Sequence, residues 1–256
     1  MRKPVVVGNW KMYKTLPEAV AFALEWKTKL DGFPGIDQGF APTFPALAAF
    51  AEKLKGTGTW IAAQNCHDAE HGAFTGEVSV GMLAAAGCKA VIVGHSERRQ
   101  IFGETDDGVA KKTAAVLKGG LTPIVCVGET LDERKRGATF DVVERQVKGG
   151  FSKIDPAKIA ECVIAYEPVW AIGTGETATP AQAQEVHARI RGLVGALSGK
   201  AVADAVRIQY GGSVKANNAA ELLGQPDVDG ALVGGASLEA ASFAAICKAA
   251  QDRTRR

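Results

Sequence analysis

Eight apolar runs of strand length punctuate the chain: PVVVGNW (4–10), IDQGFAP (36–42), TWIAAQN (59–65), KAVIVGH (89–95), LTPIVCVG (121–128), IAECVIAYE (159–167), AVRIQYG (205–211) and DVDGALVGG (227–235). Several are nearly continuous in apolar residues, as strands buried on both faces require, which favours a parallel sheet over an antiparallel one with a wet face. Helical stripes separate them. Ala19, Phe22, Ala23, Trp26 and Leu30 recur at helical spacing, as do Ala183, Val186, Ile190, Leu193 and Leu197, so each stripe can cover a sheet face. The second stripe has a readable start, with Thr179 as N-cap, Pro180 at the first helical position and Gln182 placed for a capping box. Eight strands alternating with helices fit a closed (β/α)₈ barrel, and a doubly wound open sheet uses the same alternation. Periodicity does not separate the two.

Length and composition narrow the picture. A chain of 256 residues matches the size at which an α/β barrel forms one unit, and no linker rich in Pro, Ser or like charge divides it, so residues 1–256 read as a single domain. With 46% hydrophobic and 23% charged residues it can build a sizeable core. Thirty basic residues against 28 acidic give no field for a polyanion, which argues against nucleic acid or a membrane surface as the main partner and leaves room for a local anionic ligand. No apolar run approaches the roughly 20 residues of a membrane span, and the N-terminus lacks the apolar core and cleavage site of a signal peptide, so a cytoplasmic location is expected. The cysteines, Cys66, Cys88, Cys126, Cys162 and Cys247, are odd in number and widely spaced without a CxxC pair; they read as reduced, buried thiols and suggest no zinc site.

Polar residues at the ends of the apolar runs carry the candidate chemistry. Asn9 with Lys11, Asn65, His95, Glu129, Glu167, Ser213 and the Gly234–Gly235 pair would share the C-terminal rim of a barrel, where active sites are built. YGGSVK (210–215) and LVGGASL (232–238) each place two glycines between a strand and an expected helix start, where backbone N–H groups and the helix dipole can hold a phosphate. Lys11 supplies a cation beside those turns once the sheet closes. Ser96 is a candidate N-cap for ERRQIFG, and His95 beside that helix start is pushed towards its neutral form, suited to polarising a carbonyl. Glu167, at a strand end under a loop, is expected to have a raised pKa and to act as a base. His67, His71 and His187 lack such placement and read as structural. Glu97, Glu104 and Glu129 fit salt-bridged rim positions equally well, and what distinguishes Glu167 is the stretch that follows. PVWAIGTGETA is rigid at Pro168, apolar in its middle, and has Gly173 and Gly175 where backbone can approach a ligand, as in a lid hinged at 168–170 and 176–178.

In that order and spacing, VGNWKM (7–12), GHSERR (94–99), AYEPVWAIGTGETAT (165–179), YGGSV (210–214) and LVGGASL (232–238) resemble the triosephosphate isomerase family, and AQNCH, GAFTGEVS and PIVCVGE extend the likeness over nearly the whole chain. The resemblance implies a single-domain (β/α)₈ TIM barrel, a homodimer, no metal and no organic cofactor. It implies an isomerase of glycolysis and gluconeogenesis that interconverts dihydroxyacetone phosphate and D-glyceraldehyde 3-phosphate through an enediolate. Carried over by position, Glu167 looks like the base, His95 the electrophile and Lys11 the cation for phosphate and enediolate, with Asn9 beside it. Glu97 and Ser96 look like supporting residues, and Gly173, Ser213, Gly234 and Gly235 like backbone donors to the phosphate. NCHDAEHGAFTGEVS (65–79) resembles the dimer loop, whose tip near Thr75 reaches the partner's Asn9 and Lys11. Glu176 departs from the lysine frequent at that position in the family, which bears on loop closure. Another phosphate-binding barrel enzyme, an isomerase or aldolase for a different sugar phosphate, is the alternative.

Overall fold

The computed structural model describes residues 2–30, 33–172 and 176–253. Its strands β1 (Val5–Asn9), β2 (Asp37–Ala41), β3 (Trp60–Ala63), β4 (Ala90–Val93), β5 (Thr122–Val127), β6 (Val163–Tyr166), β7 (Arg207–Tyr210) and β8 (Gly230–Val233) follow one another around a closed barrel. Neighbours pair in parallel, and β8 closes onto β1 with Val5 opposite Gly230 and Val7 opposite Leu232. Closure decides between the two architectures that periodicity leaves open. Each expected strand is present with trimmed ends; in the sixth, Pro156–Glu161 make a 3₁₀ turn capped by Asp155, and the ladder begins only at Val163. Asp155, whose side chain accepts the Ala157 N–H, and Pro156 at the first position start that turn, which takes up Ile159–Glu161 of the apolar run.

Successive side chains along a strand face opposite sides of the sheet. Val5, Val7, Ile92, Ile124, Cys126, Val163, Ala165 and Leu232 fill the barrel interior, while Val6, Val91, Val125, Ile164, Ile208 and Tyr210 face the helices. Continued past the strand ends, the same alternation turns Asn9, Glu167 and Gly234 inward at the C-terminal rim. It turns Glu129 outward.

Eleven α-helices are described: α1 (Leu16–Lys27), α2 (Leu47–Leu54), α3 (Val80–Ala85), α4 (Ser96–Ile101), α5 (Asp106–Lys118), α6 (Leu131–Lys135), α7 (Thr139–Gly150), α8 (Pro180–Ser198), α9 (Lys200–Ala205), α10 (Ala219–Leu223) and α11 (Ala240–Arg253). The stripe of α1 buries Ala19, Phe22, Ala23 and Trp26, and the Trp26 ring meets Phe40 of β2 edge-on with centroids 5.0 Å apart. Helix α8 starts as its sequence requires: the Thr179 hydroxyl accepts the Gln182 N–H while the Gln182 side chain accepts the Thr179 N–H.

The 65–79 segment is a long exposed loop. It is closed at its base by the His67 N–H donating to Val78 O at 2.8 Å, and the His67 ring lies against Phe74 near the tip, which also carries Thr75. All five cysteines are free and buried. Burial pushes the thiols of Cys66, Cys88 and Cys162 up to about 12, so they stay protonated and unreactive at neutral pH. Among the described residues no helix is long and apolar enough to cross a membrane, and no group of three His, Cys, Asp or Glu side chains converges as metal ligands would.

Candidate active site

At the C-terminal rim a cavity of about 860 Å³ is lined by Asn9, Lys11, His95 and Glu167, and by the turns at 211–213 and 234–235. Most of the inward rim positions meet there. Gly173 lies outside the described residues, as does the middle of the expected lid.

Lys11 sits just beyond β1 in a left-handed conformation, φ 50°. Such backbone costs energy in a non-glycine residue and persists only where its surroundings hold it. Asn9 Oδ1 accepts the Lys11 N–H at 3.0 Å, and Gln64 Nε2 donates to both Lys11 O and Ala41 O at 2.8 Å. Gln64 is a site residue that the apolar pattern does not mark; its one signal in the sequence is that it makes a second polar residue beside Asn65. The Lys11 ammonium pairs with Glu97 at 2.6 Å, and a Cβ placed on Gly234 would lie 3.9 Å from Lys11 Cε, so the cation stands beside the β8 turn.

His95, rather than Ser96, is the N-cap of α4; Ser96 is its first helical residue. The His95 Nδ1 accepts the Glu97 N–H at 3.2 Å, which assigns the ring proton to Nε2. Nε2 faces Glu167 Oε1 at 2.8 Å, and Glu167 Oε2 accepts the Ser96 N–H at 2.9 Å. Glu167 is therefore held against the start of α4, and its expected pKa shift is reversed in this arrangement. Burial pushes the carboxyl up, but His95, the Ser96 N–H and Lys11 outweigh it and hold Glu167 below the usual range. For His95 burial pushes down and the facing carboxylate outweighs that, so its pKa is raised, contrary to the effect expected from the helix start alone. Both shifts come from one contact, which a bound substrate would have to part.

Close packing explains the glycines around Glu167. A Cβ on Gly128 would fall 1.7 Å from Glu167 O, one on Gly211 2.9 Å from Glu167 Cγ, and one on Gly212 3.0 Å from Pro168 Cγ. The first glycine turn thus touches Glu167 and the proline that follows it. That turn does not lead directly into a helix, because α10 begins only at Ala219; the second does, since Gly235–Leu238 form a 3₁₀ turn. A Cβ on Gly235 would meet nothing within 4 Å, leaving the space above it open for a ligand. The Ser213 N–H, expected to face a phosphate, instead donates to Ala171 O at 3.1 Å.

The other rim carboxylates are taken up by structure. Glu104 pairs with Lys112 and accepts the Gly94 N–H. Glu129, facing outward and fully buried, accepts from Tyr166 and Trp170 and pairs with Arg134. His187 is buried, with Nδ1 3.2 Å from Asp227 O. The site so assembled is an inward carboxylate facing an imidazole, a cation and two glycine turns, fit to move a proton on a small anionic substrate.

The family model described as Triosephosphate isomerase matches residues 4–250. The chain belongs to the triosephosphate isomerase family. It is 57% identical over 250 residues to the triosephosphate isomerase of Chlorobium luteolum, covering 97% of this chain and 99% of that one. Those of Prosthecochloris aestuarii and Citrifermentans bemidjiense are 56% and 54% identical over 252 and 248 residues, with 98% and 97% of this chain and 99% of each relative covered.

Proposed function

We propose that the protein is a triosephosphate isomerase that interconverts dihydroxyacetone phosphate and D-glyceraldehyde 3-phosphate at the cavity around Glu167. The observation that carries this is the facing pair Glu167 and His95, 2.8 Å apart, with Lys11 and both glycine turns around one cavity, in a chain of that family. The phosphate sits over Gly234 and Gly235 and against Lys11, and takes the Ser213 N–H from Ala171 O; Gly173 adds its N–H. With substrate between them, Glu167 leaves His95 and Ser96 and removes the proton on one substrate carbon. The His95 Nε2–H and the Lys11 ammonium stabilise the enediolate oxygen; the imidazole passes the hydroxyl proton from one enediolate oxygen to the other, and Glu167 returns the carbon-bound proton to the neighbouring carbon. These are the roles that a glutamate base and a neutral histidine hold in this family. The remote phosphate contributes by drawing the 168–178 segment over the reacting carbons, which excludes water and strengthens each interaction. Glu97 orients Lys11 and, through its N–H on Nδ1, the His95 ring; Ser96 receives the resting Glu167, and Asn9 holds the Lys11 backbone.

The whole chain, 1–256, acts as one barrel domain in the cytoplasm, serving glycolysis and gluconeogenesis with no metal or organic cofactor. It works as a homodimer in which Thr75, at the tip of the 65–79 loop, reaches the partner subunit's site. The exposure of Met12, Phe74, Met82, Ile101 and Phe102 supports this reading, since apolar side chains left bare on one chain suit an interface. Membership of the family does not favour the alternative of an enzyme for another sugar phosphate. Initial rates with D-glyceraldehyde 3-phosphate and with five- and six-carbon aldose phosphates, in chelator, test the assignment. Fast turnover of the triose alone supports it; preference for a longer sugar would overturn it. Sedimentation at micromolar concentration tests the dimer, which a monomeric mass would exclude.

A further inference from the structure

Three residues that bracket Glu167 are tied to Glu129, two of them to its buried carboxylate and one to its backbone carbonyl. Tyr166, just before Glu167, donates its hydroxyl to Glu129 at 3.1 Å. Val169, two residues after it, donates its N–H to Glu129 O at 3.0 Å, and the Trp170 indole donates to Glu129 Oε1 at 3.0 Å. Glu129 is 0% exposed, so its charge has to be matched by a cation, because an unpaired buried charge is strongly destabilising. Arg134 provides that match. Its Nη1 donates to Glu129 Oε1 at 3.1 Å, and its guanidinium carbon lies 4.6 Å from the centre of the Trp170 ring. One planar cation therefore grips both ends of the Glu129–Trp170 hydrogen bond, a combination of pairing and stacking that suits arginine better than lysine. Helix α6 fixes its origin, since the Thr130–Glu133 capping box braces the turn that bears it.

Trp170 stands between the two parts of the site. Glu167 is three residues before it, and the next residue, Ala171, accepts the Ser213 N–H of the anion cradle. Any displacement that a phosphate imposes at Ser213 reaches Glu167 through residues 168–171. How much of it arrives depends on what anchors Trp170.

We propose that Arg134 is a positioning residue that couples phosphate binding to placement of the base, by clamping Trp170 on Glu129. Arg134 touches neither the substrate nor the reacting atoms. The proposal rests on the isomerase reading above. It requires that Arg134 matter more for a substrate with a phosphate than for one without, because only the former delivers binding energy through Ser213 and Ala171.

The test compares kcat/KM for D-glyceraldehyde 3-phosphate and for D-glyceraldehyde in the wild type, Arg134→Gln and Arg134→Lys. Arg134→Gln is expected to lose about tenfold or more on the phosphorylated substrate, since misplacing a reacting group from a distance carries penalties of that order or larger. On D-glyceraldehyde it should stay within about twofold of the wild type. Arg134→Lys keeps the charge and loses the planar stack, so it should fall between on the phosphorylated substrate. Equal losses on both substrates would show that the arginine merely supports the fold, and no loss on either would show that it is idle; each result overturns the proposal. If Arg134→Gln fails to fold, the lysine variant carries the same comparison, and equal losses or no loss overturn the proposal in the same way. A wild type that converts no triose phosphate would instead overturn the function itself.

Discussion

The Ser213 N–H donates to Ala171 O at 3.1 Å, so one of the groups suited to holding a phosphate is engaged by the chain itself. Binding a phosphate there is an exchange of one hydrogen bond for another with a charged acceptor, and charge-assisted bonds are the stronger. Saturating inorganic phosphate is therefore expected to move the backbone amide resonance of Ser213 in ¹H–¹⁵N spectra, together with that of Ile172 beside the released carbonyl. Phosphate that binds with both resonances unmoved would place the anion elsewhere.

Gly211, in the first glycine turn, also packs against Glu167, the proposed base. A methyl group there would press on Glu167 Cγ at 2.9 Å and on Tyr166 O at 3.1 Å, so Gly211→Ala has to shift the carboxylate. A displacement of about 1 Å at a reacting group can lower the rate by about 10²-fold. That loss should appear mainly in kcat, with the far-ultraviolet circular dichroism unchanged. A variant of wild-type kcat would mean that Glu167 adjusts without consequence.

Much of the architecture is legible in the chain, for physical reasons that individual residues make plain. The strand runs can be read because both of their faces are buried, as Val5, Val6 and Val7 are, and Thr179 with Gln182 marks a helix start because capping is local chemistry. Barrel closure is not legible from periodicity, since Val5 meets Gly230 across nearly the whole chain. The same limit hides Gln64, whose partners Lys11 and Ala41 lie on two other strand ends. Ser96 reads as the cap in the sequence because His95 is a rarer capping residue, and the His95 Nδ1 takes that role only through the ring orientation that α4 and Glu167 impose. The pKa directions of Glu167 and His95 come out opposite to the sequence expectation for one reason: that expectation treats each residue alone, and the structure sets them against each other.

His187 gives a pH signature independent of catalysis. Burial pushes it down to about 4, with the Asp227 carbonyl and nearby charges as smaller influences. Because the folded pKa lies below the ordinary value of 6.5, the unfolded chain takes the proton first as pH falls. The stability linked to this group is complete above about pH 6.5 and declines towards pH 4, at about 1.4 kcal/mol per unit. Between pH 7 and pH 5 it should account for about 2 kcal/mol of lost stability per chain. Urea unfolding of the wild type and His187→Gln at both pH values checks this. The glutamine variant should show a shallower decline by that amount, and parallel declines would mean that His187 is protonated in the folded protein.

Glu167 is the proposed carrier of the carbon-bound proton, whose transfer is the central step of the reaction. The most direct measurement follows D-glyceraldehyde 3-phosphate in D₂O by ¹H NMR with the wild type and Glu167→Gln, in the presence of chelator. Glutamine keeps the size of the side chain and removes its basicity. The wild type should give dihydroxyacetone phosphate rapidly, part of it carrying deuterium at C1 through exchange of the base-held proton with solvent. The variant should lose at least about 10³-fold in rate, within the 10²–10⁴-fold that positioned acid–base groups contribute. Rapid conversion by the variant, or none by a folded wild type, would contradict the account.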